Sequence, residues 1–201
     1  MYENANKNSK IIRAFKKIKR EDFLLPEDKC KAKIDNALPI GYGQTISQPA
    51  TVAFMLELLQ PKSGDKILDV GSGSGWTTAL LAEIVGKRGK IYGIERILEL
   101  KNFGEQNLSK YNFIKKGKVT IIHGNGYAGL PEYAPFDKIL VSAVAVKTPP
   151  QLLAQLKVKG RLAIPLGKQY ESQEIVLYKK TGKNKFKIEH FPGFVFVPLV
   201  K

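Results

Sequence analysis

The chain has 201 residues, with 33 Lys or Arg against 18 Asp or Glu, a net charge of +15 and 43% hydrophobic residues. This length and composition favour one globular domain without a membrane span. The one cysteine, Cys30, excludes an internal disulfide and a cysteine-based metal site, and it suits a cytoplasmic protein. We expect the lysine excess to give a solvated surface, although the charge leaves nucleic-acid binding open.

The first sixty residues combine a basic helix with an irregular region. The basic segment 7–20 carries three apolar residues at helical spacing, Ile11, Phe15 and Ile18. This pattern predicts an amphipathic helix docked on the core, with RNA or membrane contact as the alternative. Residues 20–47 contain too many Pro and Gly residues for one regular element. A helix is predicted after Pro49, and Ser47 can act as its N-terminal cap.

A strand predicted at 67–70 runs into alternating glycines and then a helix. The motif reads Asp69-x-Gly71-x-Gly73-x-Gly75. Trp76 stands where a dinucleotide fingerprint has its third glycine, and no lysine followed by Ser or Thr completes a phosphate loop. The motif resembles that of S-adenosylmethionine-dependent methyltransferases. Support comes from Glu95, because an acid at the end of the next predicted strand can accept hydrogen bonds from both ribose hydroxyls.

Further strands alternate with helices along the rest of the chain. Strands are predicted at 91–95, 119–122, 138–141, 161–164, 175–178 and 194–197, with helices at 98–111 and 151–156. This order predicts an α/β fold, Rossmann-like and doubly wound, with a mostly parallel sheet of about seven strands and antiparallel strands near the C-terminus. We expect a single domain, 1–201, in which an N-terminal extension and substrate loop (1–60) precede a cofactor-binding core (61–201).

The segment at 38–49, LPIGYGQTISQP, resembles the signature loop of protein-L-isoaspartate O-methyltransferases. The similarity continues through 69–76, 124–126, 134–137, 142–149, 160–162 and 196–199, and so covers nearly the whole chain from Arg20 onward. The resemblance implies methyl transfer from S-adenosylmethionine to the free α-carboxylate of isoaspartyl residues in damaged proteins. The ester then closes to a succinimide, which can reopen to aspartate.

The resemblance also implies a set of site residues. The Ser47 hydroxyl would orient the carboxylate, which is already ionised at neutral pH because α-carboxyl pKa values are about 3.3–3.7. Substrate contacts are expected from Gln44, Thr45, Ile46, Val144 and Val197. Cofactor contacts are expected from Asp69, Gly71, Ser72, Gly73, Gly75, Trp76, Glu95, Asn125, Gly126 and Ser142. No metal is expected.

Three residues depart from the family's usual pattern. Asn125 stands where the family has Asp, Trp76 where it more often has Tyr, and Val144 where it commonly has Ala. An amide at 125 can still accept a hydrogen bond from adenine, but without the assistance of charge. None of the three removes a group that the reaction needs.

Two other functions fit the same fold. An RNA methyltransferase would agree with the net charge, although the small, uncharged segment 142–145 lacks the polar-Pro-Pro-aromatic motif of many base N-methylating enzymes. A non-catalytic homologue would bind S-adenosylmethionine without transferring its methyl group.

Overall fold

Nine strands form a small hairpin and a seven-stranded sheet in the computed structural model, which describes residues 10–169 and 171–200. The hairpin consists of β1 (Leu38–Gly41) and β2 (Gln44–Ile46). The sheet consists of β3 (Lys66–Val70), β4 (Lys90–Glu95), β5 (Val119–His123), β6 (Phe136–Val141), β7 (Leu156–Leu166), β8 (Gln173–Gly182) and β9 (Lys185–Phe194). The strand order in the sheet is β5-β4-β3-β6-β7-β8-β9.

The sheet is parallel from β5 through β7 and antiparallel from β7 through β9. The chain runs outward from β3 through β4 to β5 and then returns to place β6 on the other side of β3. A ligand crevice is expected where the strand order reverses in this way. The predicted fold class is confirmed.

Five α-helices accompany the sheet in the described residues. They are α1 (Lys10–Lys17), α2 (Pro49–Leu59), α3 (Trp76–Val85), α4 (Leu98–Ser109) and α5 (Pro150–Gln155), with 3₁₀ helices at Arg20–Phe23, Pro26–Lys31 and Pro131–Tyr133. Alternation along β3 sends Ile67 to one buried cluster, which contains residues of α1–α4. It sends Leu68 and Val70 to the other cluster, which contains Leu152 of α5.

The N-terminal helix docks on the core, as its apolar spacing predicts. Ile18 is buried, and Phe15 makes an edge-on contact with Trp76 at 5.5 Å between ring centroids. Lys17 forms an ion pair with Glu83 of α3 at 2.8 Å. The first part of the predicted basic segment, residues 7–9, lies outside the described residues. The docked interpretation is therefore confirmed for α1.

Two strands differ from their predicted positions. β7 begins at Leu156, directly after α5, although the sequence Lys157-Val158-Lys159-Gly160 is typical of a turn. The second strand of the closing hairpin was expected at 194–197, which is wrong: it lies at Lys185–Phe194. Within the described residues this edge strand pairs with β8 alone. It is mostly exposed, so burial does not impose an apolar pattern on its sequence.

No helix in the described part of the chain is long and apolar enough to cross a membrane. The division between 1–60 and 61–201 falls between α2 and β3. That division, and the single domain that contains it, stay predictions.

Candidate functional site

The carboxyl ends of β3, β4 and β6 meet at one edge of the sheet. They lie beside a cavity of about 820 Å³, a volume that includes the solvent-open space at its entrance. The β1–β2 hairpin and the segment after β9 complete its walls. Many residues that the sequence analysis singled out line this cavity: Gln44, Thr45, Ile46, Ser47, Gly71, Ser72, Gly73, Trp76, Glu95, Gly126, Ser142 and Val197. Parallel sheets characteristically bind ligands at this edge.

The loop after β3 exposes polar groups to the cavity because its backbone turns sharply. Gly71 and Gly73 have φ angles of 78° and 51°, which favour glycine. The N–H groups of Gly71 and Ser72 both donate to the carbonyl oxygen of Ile94, at 2.9 and 3.2 Å. The buried Ser72 Oγ has no hydrogen-bond partner within the described residues. A buried hydroxyl without a partner is costly, so this one is a candidate ligand contact.

Glu95 ties the glycine loop to the end of β4. Its Oε2 accepts a hydrogen bond from the N–H of Gly73 at 2.9 Å. Its Oε1 accepts from the N–H groups of Arg96 and Ile97 at 2.8 and 3.0 Å. A carboxylate has about four acceptor positions, so Oε2 retains capacity for a ligand hydroxyl.

Ser47 does not cap α2. The residue at the N-cap position is Gln48, and Asp35 supplies the capping carboxylate by accepting from the N–H of Ala50 at 2.8 Å. The other Asp35 oxygen accepts from Gln48 Nε2 at 3.1 Å. The Ser47 hydroxyl forms no hydrogen bond within the described residues, whereas its carbonyl oxygen accepts from Arg20 Nη2 at 3.2 Å. Its side chain is therefore available at the cavity wall.

Trp76 forms an aromatic wall of the same cavity, and its environment comes from the N-terminal extension. The ring lies against Phe15, and the Arg20 guanidinium lies over it at 5.4 Å from the ring centroid. Its indole Nε1 is buried without a partner in the described chain. The basic helix is thus part of the site's support.

A second, wider groove adjoins the first cavity. Its volume, including solvent-open space, is about 2820 Å³. Phenylalanines dominate its apolar wall: Phe54, Phe191, Phe194 and Phe196. Phe54 of α2 packs against Phe191 and Phe194 with ring centroids 5.4 and 5.5 Å apart. The residues common to the two linings are Thr45, Ser47, Ser142, Val197 and Pro198. These shared residues mark where a ligand of one space would meet a ligand of the other.

Val144 lines neither space, but its backbone holds the segment that contains Val197 and Pro198, which line both. Its N–H donates to the Val197 carbonyl at 2.8 Å, and its carbonyl accepts from the N–H of Leu199 at 2.8 Å. Gln173 adds a further attachment, since its Oε1 accepts from the N–H of Phe196 at 2.6 Å. The backbone of Val144 holds this segment and its side chain is buried, and its expected substrate contact stays a prediction.

Asp69 also lies outside the cavity wall, beneath the glycine loop. It is fully buried, and its Oδ2 accepts from Thr78 Oγ1 at 2.6 Å while its Oδ1 has no partner in the described chain. Burial raises the pKa of Asp69 to about 7; the Thr78 bond opposes the rise, and the charge of Glu95 adds to it. Asp69 supports the glycine loop through its contact with Thr78, and its expected cofactor contact stays a prediction.

Gly75 and Asn125 lie outside the wall as well. A Cβ on Gly75 would lie 3.1 Å from the carbonyl oxygen of Gly104, so this glycine permits close packing on α4. The exposed Asn125 accepts through its Oδ1 from the N–H of Tyr127 at 2.9 Å, forming a local turn. The expected cofactor contacts of both residues stay predictions.

Sequence reasoning missed several lining residues. Arg96 and Ile97 follow Glu95 directly, so the end of a predicted strand was an available signal. The apolar side of the wider groove, from Phe54 and the phenylalanines of β9, had no such signal. Among residues 10–169 and 171–200, no group of three or more His, Cys, Asp and Glu side chains could hold a metal ion.

Comparisons with known proteins agree with this geometry. The family model for protein-L-isoaspartate(D-aspartate) O-methyltransferase matches residues 2–201. A protein-L-isoaspartate O-methyltransferase of Staphylothermus marinus is 42% identical over 199 residues, which cover 96% of this chain and 87% of that protein. The Pyrococcus horikoshii enzyme of the same name is 44% identical over 200 residues, covering 98% and 88%.

A crystal structure described as a protein-L-isoaspartate O-methyltransferase has the same fold. It comes from Plasmodium falciparum and contains S-adenosyl-L-homocysteine. The TM-score is 0.85 at 28% sequence identity, with 96% of this chain and 91% of that chain covered.

Proposed function

We propose a protein-repair activity at this site, since the chain belongs to the protein-L-isoaspartate(D-aspartate) O-methyltransferase family. The enzyme transfers a methyl group from S-adenosylmethionine to the free α-carboxylate of L-isoaspartyl residues in proteins and peptides. The resulting ester closes to a succinimide, and this succinimide can reopen to normal aspartate.

The residues around the narrow cavity fit S-adenosylmethionine. Ser72 Oγ and Trp76 Nε1 are buried polar atoms without partners in the described chain, and both residues line the cavity. A Cβ on Gly126 would lie 2.6 Å from Val70 Cγ1, so only glycine lets this part of the wall pack closely against β3. We assign cofactor binding to Gly71, Ser72, Gly73, Trp76, Glu95, Gly126 and Ser142. The cofactor supplies a methyl group on a positively charged sulfur.

The observation that carries the proposal is the position of Ser47 on the wall shared by the cavity and the groove. Its hydroxyl is not used in capping α2, because Asp35 supplies that cap. We call the place where the cavity meets the groove the junction. A serine hydroxyl without a partner there can donate a hydrogen bond to the substrate carboxylate. Ser47 therefore binds and orients the nucleophile.

The methyl transfer needs few catalytic groups from the protein. An α-carboxylate is ionised well below neutral pH, so the site needs no general base. The chain must align this carboxylate and exclude water from the junction. Gln44, Thr45 and Ile46 of the hairpin, together with Val197, enclose the junction and complete the proposed substrate contacts.

The wider groove gives the rest of the substrate a place to lie. An isoaspartyl residue sits within a polypeptide, so its neighbours must extend away from the junction. The groove continues from the shared wall along Phe54 and Phe194, which offer apolar surface to flanking side chains. A cytoplasmic location completes the proposal and is supported by the single, exposed Cys30, which suits a reducing compartment.

A methyl-transfer assay with paired peptides tests the function. One peptide carries an isoaspartyl residue, and its twin carries aspartate at the same position. We expect radiolabel from S-adenosylmethionine to appear as base-labile methyl ester on the isoaspartyl peptide alone. An unmodified RNA serves as a third acceptor. Label in RNA would favour the RNA methyltransferase alternative, and cofactor binding without transfer to any acceptor would indicate a non-catalytic homologue.

A further inference from the structure

Arg20 is a buried cation that no carboxylate pairs by a hydrogen bond in the described chain. It is 7% exposed, and its guanidinium donates four hydrogen bonds to backbone carbonyl oxygens. Nη1 donates to Ala32 and Ile34 at 3.3 and 3.0 Å. Nη2 donates to Asn36 and Ser47 at 2.6 and 3.2 Å. One side chain thus fixes two stretches of backbone that are separate in sequence.

Both stretches determine where the Ser47 side chain lies. Asp35, between two of the carbonyls that Arg20 holds, caps the start of α2. The fourth carbonyl that Arg20 holds is that of Ser47 itself, two residues before the first residue of that helix. The face of the same guanidinium lies over Trp76, on the wall of the cofactor cavity. Arg20 therefore contacts both the substrate-orienting residue and the cofactor wall.

We propose that Arg20 is a positioning residue for methyl transfer, which holds the Ser47 hydroxyl at the junction while it supports Trp76. This inference rests on the proposed role of Ser47. Arg20 lines neither the cavity nor the groove, so it acts through its neighbours. A small displacement of a group that aligns reactants can reduce the rate by one or two orders of magnitude.

The geometry requires arginine in particular. Four carbonyls are reached from two nitrogens in one plane, while the face of that plane lies on an indole ring. A lysine ammonium has three donors on a single nitrogen and no planar face. Arg20→Lys keeps the charge but loses this arrangement.

The test is a double-mutant cycle with Ser47→Ala. We measure kcat and KM for an isoaspartyl peptide per folded molecule, with S-adenosylhomocysteine binding used to count folded sites. Arg20→Lys and Arg20→Met should each lower kcat about tenfold and change the Kd of S-adenosylhomocysteine less than about threefold. In the Ser47→Ala background, either Arg20 substitution should lower kcat less than about twofold further, because the two residues act as a unit.

Arg161→Met is the matched control. Arg161 also uses its guanidinium to hold a backbone carbonyl, that of Leu58 at 2.7 Å, but it lies outside both linings. Its loss should lower thermal stability and leave kcat per folded molecule unchanged.

Three outcomes would overturn the inference. Additive effects of Arg20 and Ser47 substitutions on kcat would mean that Arg20 does not act through Ser47. Normal kcat per folded molecule in Arg20→Lys would leave Arg20 a purely structural role, and so would failure of that variant to fold. If instead Ser47→Ala itself retains full kcat, the proposed function of Ser47 fails, which is a different result from additivity.

Discussion

Asp69 and Asp137 lie on neighbouring parallel strands, β3 and β6, and near opposite ends of the sheet. At the amino end, Asp137 accepts from the N–H of Lys66 at 2.8 Å and from Lys157 Nζ at 2.7 Å. Burial alone would raise the pKa of Asp137, but these two bonds, with the charges of Lys157 and Lys138, hold the pKa below its usual value. Asp69, at the carboxyl end, has one oxygen without a partner in the described chain and a pKa of about 7.

The same contrast extends beyond the two acids. Within residues 10–169 and 171–200, the buried side-chain atoms without partners are Arg20 Nε, Asp69 Oδ1, Ser72 Oγ and Trp76 Nε1. Ser72 and Trp76 line the cofactor cavity, Asp69 lies below its glycine loop, and Arg20 lies over Trp76. The amino end satisfies its polar groups internally, whereas the carboxyl end keeps several unsatisfied. Polar atoms left unpaired by the fold thus cluster where a ligand is to bind.

The largest effect that we expect is on the pH dependence of stability in Asp69→Asn. The folded pKa of Asp69, about 7, lies above its ordinary value of 3.8. The stabilisation that this group contributes is therefore fully present below pH 3.8 and is lost as the pH rises through 7. This loss amounts to about 4 kcal/mol at most. Asparagine can still accept from Thr78, so the wild-type protein should lose unfolding free energy relative to Asp69→Asn between pH 4 and 8.

Asp137→Asn tests the other side of the comparison, because the pH dependence of stability that Asp137 contributes has the opposite sign to that of Asp69. The folded pKa of Asp137 is lowered, so its contribution is present above its ordinary pKa and is lost as the pH falls through the folded value. The variant should be less stable than the wild type at pH 7 and approach it in acid. Urea denaturation at several pH values measures both differences. Parallel curves for the wild type and Asp69→Asn would contradict the contrast between the two ends.

Much of this site could be predicted because its signals are local in sequence. The turn after β3 needs glycine where φ is positive, at Gly71 and Gly73, and this requirement is visible in the sequence. Glu95 is the last residue of a strand that is otherwise mostly apolar. Its place at the carboxyl edge of the sheet therefore follows from this strand alone. The motif on β1 and β2 likewise belongs to one short segment.

The remaining features depend on contacts between distant residues. Asp35 caps a helix that begins fourteen residues later, and Arg20 reaches Ser47 across 27 positions. Neither contact leaves a local pattern, which is why Ser47 was a candidate cap from the sequence. The expected substrate contact of Val144 stays a prediction, and the backbone bond that holds this residue, to Val197, is also a long-range contact with no local pattern.

The next largest effect concerns Ser47→Ala, which separates catalysis from folding at the carboxyl end. One well-placed hydrogen-bond donor can contribute up to about a hundredfold in rate, and we expect a loss of between about tenfold and a hundredfold in kcat. Unfolding free energy should change by less than about 0.5 kcal/mol, because the hydroxyl caps nothing. Asp35→Ala is the matched variant and should cost about 0.5–2 kcal/mol as a lost helix cap. A Ser47→Ala protein with full activity would remove Ser47 from the proposed mechanism.

The smallest effect that we expect is on cofactor affinity in Glu95→Gln. The carboxylate accepts from three backbone N–H groups, those of Gly73, Arg96 and Ile97, and we propose that it also accepts from ribose hydroxyls. Glutamine keeps one acceptor oxygen and turns an amide donor toward groups that also donate. The net loss of about 1 kcal/mol corresponds to an about fivefold weaker Kd for S-adenosylhomocysteine by calorimetry. Asp137→Asn, at the amino end, should leave this Kd unchanged. Equal weakening by both variants would show that loss of a carboxylate anywhere in the sheet disturbs binding, and the local role of Glu95 would then be wrong.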